Sequence, residues 1–200
     1  MQKHIVVIKA CVQVIFWFAG EPESYIAGNC QTKVAPPKRC PHCGRKKCLE
    51  LLGYYPRGIS SALTSIPLTI RVRRFICRKF GGTVSMLPSF AQPYRLVRNS
   101  TVQKYFSGKR FEIDVIRWTP LLTRYWRRFR AWFPKLFEKT GNRSGLSPPM
   151  PVEEHYWRFF MSAWGEMSGA TAHLVGTFRL TAFGIYQCHQ LPISVTAAPR

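Results

Sequence analysis

Seven cysteines are scattered through 200 residues, but three of them, Cys40, Cys43 and Cys48, fall within one short basic stretch, PPKRCPHCGRKKC. The spacing C-P-H-C-G suits metal binding. Two intervening residues bring both sulfurs to the same side of a tight loop, and the glycine lets the chain turn away. Cys40 and Cys43 supply only two thiolates, whereas a closed tetrahedral zinc site needs four ligands. The odd cysteine count and the absence of a regular disulfide framework point to reduced thiols in a reducing compartment.

The elements that would position these sulfurs can be read from local pattern. Residues 5–18 are rich in β-branched and aromatic side chains and read as a strand, although Lys3 and His4 before an apolar run imitate a signal peptide; Lys9 and Gln13 interrupt that run. Pro36-Pro37 marks a boundary. Beyond the knuckle, Leu49–Tyr55 and Leu68–Ile76 are two further β-prone runs, and in the second Ile70, Val72 and Arg74 alternate with Arg71, Arg73 and Phe75. That run reaches Cys77, so two knuckle cysteines, a strand, a returning strand and a further cysteine outline a zinc ribbon.

From Cys77 the chain reads CRKFGGTVSMLPSFAQPYR. Together with Cys40, Cys43 and Gly44, the residues Cys77, Gly81, Thr83, Ser85, Leu87, Pro88, Pro93, Tyr94 and Arg95 make the chain resemble the amino-terminal zinc-ribbon and helix-turn-helix part of bacterial insertion-sequence transposases and related small proteins. The resemblance covers about a quarter of the chain clearly and extends more loosely to about residue 140. It implies a zinc cofactor and a second C-x-x-C, but Phe80 stands where the family has its fourth cysteine. Cys48 or His42 would have to complete a set of Cys40, Cys43 and Cys77. Without either, the three thiols would sit in a ribbon that has lost its metal, with Phe80 adding apolar packing.

Charge is the other strong signal. Thirty Lys and Arg oppose nine Asp and Glu, giving a net charge of +21, and residues 36–141 carry +19 of it. Such an imbalance favours a polyanionic partner. After a short helix in LVRNSTVQKYFSG, a longer one is expected to start at Thr119-Pro120, where threonine caps and proline occupies the first position, and to end or kink at Pro134. Leu121, Leu122, Tyr125, Trp126, Phe129, Trp132 and Phe133 form its apolar stripe, leaving Arg124, Arg127, Arg128 and Arg130 largely on the other side. These four, with Arg71 and Arg73 on the ribbon and Arg45, Lys46 and Lys47 beside the knuckle, are the expected phosphate contacts.

The sequence therefore predicts an α+β protein: an N-terminal β segment (1–35), a small β zinc-ribbon-like unit (36–92), a basic helical, helix-turn-helix-like bundle (93–141), a linker (142–152) and an apolar C-terminal helical tail (153–200) able to support self-association. His155, His173 and His189 are scattered singly and read as structural or exposed. No three of the nine acidic residues fall in an arrangement suited to a nuclease core, and no phosphate-cradling glycine loop or nucleophile triad is present. The expectation is a non-catalytic, transposase-related protein that binds double-stranded DNA, with no small-molecule substrate, in a bacterial cytoplasm beside the nucleoid. The rival reading is an interaction or structural protein whose basic surface serves RNA or a membrane.

Overall fold

The computed structural model describes residues 11–141 and 150–185. It is a mixed α+β fold in which a four-stranded sheet is followed by helices. The strands are β1 (Cys11–Phe16), β2 (Leu49–Ile59), β3 (Leu68–Cys77) and β4 (Thr83–Pro88), in the order β1-β4-β3-β2. The expected hairpin is present as β2 and β3, antiparallel from Leu49 opposite Cys77 to Ile59 opposite Leu68. It is wider than a ribbon, because β4 adds antiparallel to β3 and β1 adds parallel to β4. Residues 5–10 of the expected first strand, most of the linker (142–149) and His189 lie outside the described residues.

Every residue of β4 is buried. Val84 and Met86 pack with Val34 and Phe75, whereas Leu87 joins Tyr25, Ile59, Ile70, Val72 and Phe90. A strand interior to a sheet and covered on both faces reads as an uninterrupted buried run, which is how TVSMLP behaves here. Between β1 and the knuckle the chain forms α1 (Pro22–Ala27) and a 3-10 turn at Cys30–Lys33, so the stretch before residue 36 is not solely β. Tyr25 of α1 is fully buried, and its hydroxyl reaches the Arg71 carbonyl at 3.4 Å.

The helical half is built on α2 (Asn99–Phe106) and α3 (Ile113–Thr140). Helix α3 starts two turns before the expected Thr119-Pro120 and runs through both Pro120 and Pro134. The apolar stripe explains this: Val115 and Trp118 extend it upstream, and Leu136 and Phe137 carry it beyond Pro134, all four buried. An interior proline forfeits a backbone hydrogen bond, a cost of about 3 kcal/mol, and tertiary packing of the stripe outweighs that local preference. Helices α4 (Tyr156–Trp164) and α5 (Met167–His173) bury Trp157, Phe160, Met167 and Ala170 in the same core.

The C-terminal segment is helical only as far as a π-helical turn at Leu174–Phe178. A small hairpin, β5 (Leu180–Thr181) and β6 (Gly184–Ile185), then inserts Phe183 beside Phe106 and Tyr125. The two halves are joined by buried polar groups. Asn99 donates to the Ser89 carbonyl at 2.6 Å and to Thr171 at 3.2 Å, and Gln92 donates to the same threonine at 2.5 Å. Arg98 is 4% exposed and is ion-paired to Glu21, Glu23 and Asp114, tying α1, α2 and α3 together.

Candidate metal centre and basic surfaces

Two turns at one end of the sheet place the sulfurs. In the first, Cys40 N donates to the Arg45 carbonyl at 2.9 Å and Gly44 N donates to the Cys40 carbonyl at 2.8 Å. In the second, Cys77 N donates to the Gly82 carbonyl at 2.8 Å and Gly81 N to the Cys77 carbonyl at 2.7 Å. The two turns thus repeat one hydrogen-bond pattern, and each has its glycine in the left-handed region, Gly44 at φ 70 and Gly81 at φ 76. The second turn keeps the backbone of a metal knuckle although Phe80 occupies the position equivalent to Cys43.

Cys48 supplies the missing sulfur from the start of the hairpin. Its carbonyl accepts from Arg78 N at 3.0 Å, which fixes it against the second turn. The Sγ atoms of Cys40, Cys43, Cys48 and Cys77 all lie within 4.8 Å of one another. Cys43 is 3.4 Å from Cys48 and 3.6 Å from Cys77, and Cys48 is 3.9 Å from Cys77. A tetrahedral zinc with bonds of about 2.3 Å separates its sulfurs by about 3.8 Å. The four cysteines therefore fit a zinc ion in both ligand type and spacing, and their thiolates would be the groups that hold it. A four-thiolate set leaves no open coordination position, so zinc bound there would supply structural cross-linking.

Proton affinities support the same reading. Amide donation at Arg45 brings Cys43 down from the ordinary thiol value to about 7, against the opposing effect of burial. Burial and the neighbouring sulfurs push Cys48 up to about 12, and burial raises Cys40 as well. Four crowded sulfurs cannot all ionise unless a cation replaces their protons. His42 is not placed as a ligand: its Nε2 donates to the Thr83 carbonyl at 3.0 Å, and its ring stacks on Phe80 at 5.1 Å. Gly82 permits this, because a Cβ there would lie 2.7 Å from the His42 ring and 2.9 Å from Phe80. Phe80 is 42% exposed, so it covers His42 rather than filling a core.

The expected phosphate contacts fall into different settings. Arg45, Lys46 and Lys47 are exposed beside the knuckle, as is Arg71 on β3, where it lies over the Tyr54 ring at 5.0 Å. Arg73 is held by the chain itself and donates to the carbonyls of Thr32 and Val34 at 2.5 and 2.9 Å. On α3, Arg124, Arg127, Arg128 and Arg130 are all exposed. Arg128 donates through Nε to the Phe183 carbonyl at 2.8 Å, and Arg130 pairs with Glu153 at 2.5 Å. Sequence reasoning assigned no contact role to Arg57 or Arg95, which the structure sets around a cavity between the sheet and the Tyr94–Leu96 segment. The proline-tyrosine-arginine motif was visible, but nothing local showed that it meets β2.

Comparisons with family models, curated proteins and solved structures find no match to this chain. Among the described residues, no helix is long and apolar enough to cross a membrane.

Proposed function

We propose that this protein is a zinc-stabilised, non-catalytic binder of duplex DNA, related to the DNA-binding part of insertion-sequence transposases. The observation that carries the reading is the outer face of α3, where exposed Arg124 and Arg127 stand one turn apart without a carboxylate partner among the described ion pairs. Like charges at that spacing repel, and phosphates along a duplex relieve the repulsion. Helices α2 and α3, joined by the short Ser107–Glu112 connection, provide a helix-turn-helix-like element, and the β2–β3 hairpin with its cysteine turns provides a ribbon-like one. The exposed lysines and arginine at the knuckle add a second basic patch. A non-catalytic role is supported by the carboxylates of Glu21, Glu23, Glu50, Glu112, Asp114 and Glu153, which are engaged in ion pairs with Arg and Lys.

The test is duplex-DNA binding of the purified chain over a salt series. With about six phosphate contacts, affinity should fall by about three orders of magnitude between 50 and 200 mM salt. Arg124→Ala with Arg127→Ala should weaken binding to all sequences alike and flatten the salt dependence by about two contacts. Salt-independent binding, or none at low salt, removes the proposal.

A further inference from the structure

A cavity of about 380 Å³ opens between the sheet and the segment leading into α2, lined by Tyr55, Arg57, Tyr94 and Arg95 among others. Its cationic wall is unusual. Arg57 is mostly buried and donates to the Gln92 carbonyl and, at 3.0 Å, to the Arg95 carbonyl, yet it has no carboxylate partner among the described ion pairs. Arg95 is also half-buried and without a carboxylate, and lies over the rings of Tyr125 and Phe183 at 5.7 and 5.9 Å. Arg128, fixed to the Phe183 carbonyl, is close enough to repel it. Buried cations are normally paired, so two partly buried guanidiniums, Arg57 and Arg95, lining one cavity call for an anion from outside.

The aromatic wall narrows the class of anion. Tyr55 is held on one side by the Arg74 guanidinium at 5.5 Å and interacts with Arg57. Tyr94 stands at the rim, 49% exposed, with its backbone in the left-handed region at φ 56. A bulky aromatic residue rarely adopts that conformation, and strain of this kind gathers at ligand-binding positions. The volume lies at the lower end for small-ligand pockets and cannot admit a duplex. One ring-bearing unit with a phosphate fits: a base on the Tyr94 ring and a phosphate on the arginines, the combination by which proteins hold unpaired nucleotides.

We propose that the Arg57, Arg95 and Tyr94 cavity captures one unpaired nucleotide, so that the protein prefers duplex DNA carrying a single-stranded end or an unpaired base. This deepens the duplex-binding reading and rests on it, but uses residues away from the outer face of α3. The experiment measures fluorescence anisotropy at fixed salt with a blunt duplex, the same duplex bearing a short thymidine tail, and a free thymidine oligonucleotide. Wild type should bind the tailed duplex about tenfold more tightly than the blunt one, as expected for one stacked base. Tyr94→Ala should abolish that preference while leaving blunt-duplex affinity within about twofold, and Tyr94→Phe should keep it. Arg124→Ala with Arg127→Ala should weaken both duplexes and preserve their ratio. Equal affinity for tailed and blunt duplexes, or a preference that survives Tyr94→Ala in a folded protein, overturns the proposal without touching duplex binding. If blunt duplex is not bound at all, oligonucleotide binding lost in Tyr94→Ala would sustain the cavity and reject the duplex reading.

Discussion

At the knuckle end of the sheet the cluster is three buried cysteines with the half-buried Cys43 and, among the described residues, Leu49 packed against them, whereas along α3 nearly every turn contributes a ring to one continuous core. Phe129 alone meets Phe106, Trp126, Phe133, Trp157 and Phe160 at centroid distances of 5.4 to 5.8 Å. Apolar burial stabilises without a partner from solution. Sulfurs brought to within bonding distance of one point do not, because their protons and lone pairs leave them mutually unfavourable until a cation arrives. The contrast teaches that the knuckle end, unlike the helical half, has a buried cluster whose stabilisation would come from a bound cation rather than from apolar packing.

The largest expected effect breaks the contrast on the metal side. The purified chain should hold one zinc, and stripping it with chelator or by Cys48→Ser should remove stabilisation on the order of 10 kcal/mol of apparent binding free energy. Hydrogen exchange should then show lost protection in the knuckle and in β2–β3, with α3 little changed. Unchanged exchange after chelation would mean that the sulfurs are only packed thiols. Because the turn at Cys77 retains knuckle geometry, adding Phe80→Cys to Cys48→Ser should restore zinc content. A double variant that remains metal-free would show that the second turn only imitates a knuckle.

On the other side, Phe129→Ala should cost about 3–5 kcal/mol in the helical half while zinc stoichiometry stays at one, read by denaturant unfolding beside metal analysis. Loss of both together would show that the halves are one cooperative unit. A smaller effect, about 1.5–3 kcal/mol, is expected from Asp114→Asn, which removes the charge that Thr101, Lys104 and Arg98 meet between α2 and α3. Burial would raise the Asp114 carboxyl, but those hydrogen bonds and charges outweigh it and hold it below the usual carboxylate value. Its folded value is depressed, so the stabilisation is complete above about pH 4 and disappears as pH falls through the folded value. Wild type and Asp114→Asn should therefore converge in melting temperature in acid; a constant gap would assign the loss to packing. The smallest change should come from Arg78→Ala. Its exposed pair with Glu50 sits beside the sulfur cluster, and removal should cost under about 1 kcal/mol.

How much of this was legible depended on whether the signal was local. The C-P-H-C-G turn and the alternation in Leu68–Ile76 are short-range patterns, and both the knuckle and the β2–β3 hairpin follow them. Cys48 was recognisable as a substitute ligand, but its choice over His42 needed the Thr83 carbonyl, which comes from a strand some forty residues away. The start of α3 was misplaced because Thr119-Pro120 is a good local helix start, whereas Val115 and Trp118 make the helix begin earlier through burial against distant partners. Arg73 was read as part of a basic face, but its guanidinium is held by carbonyls of Thr32 and Val34 that no pattern in β3 reveals. Likewise, Phe183 gave no hint that its hairpin would close over Arg95 and Arg128.

The parallel pairing of β1 with β4 carries a consequence for the order in which the protein is made. Cys11 lies opposite Thr83 and Phe16 opposite Pro88, so partners in this ladder are separated by some seventy residues of chain. As the chain leaves the ribosome, β1 emerges first but finds its neighbour only after the knuckle and hairpin have passed. The β2–β3 hairpin, with its ends close in sequence, can form in that interval and offer β4 a template. Closing so long a loop is entropically slow compared with hairpin formation. Docking of β1 is thus the late event of sheet assembly, and until it occurs the β4 edge stands open to any other extended segment nearby.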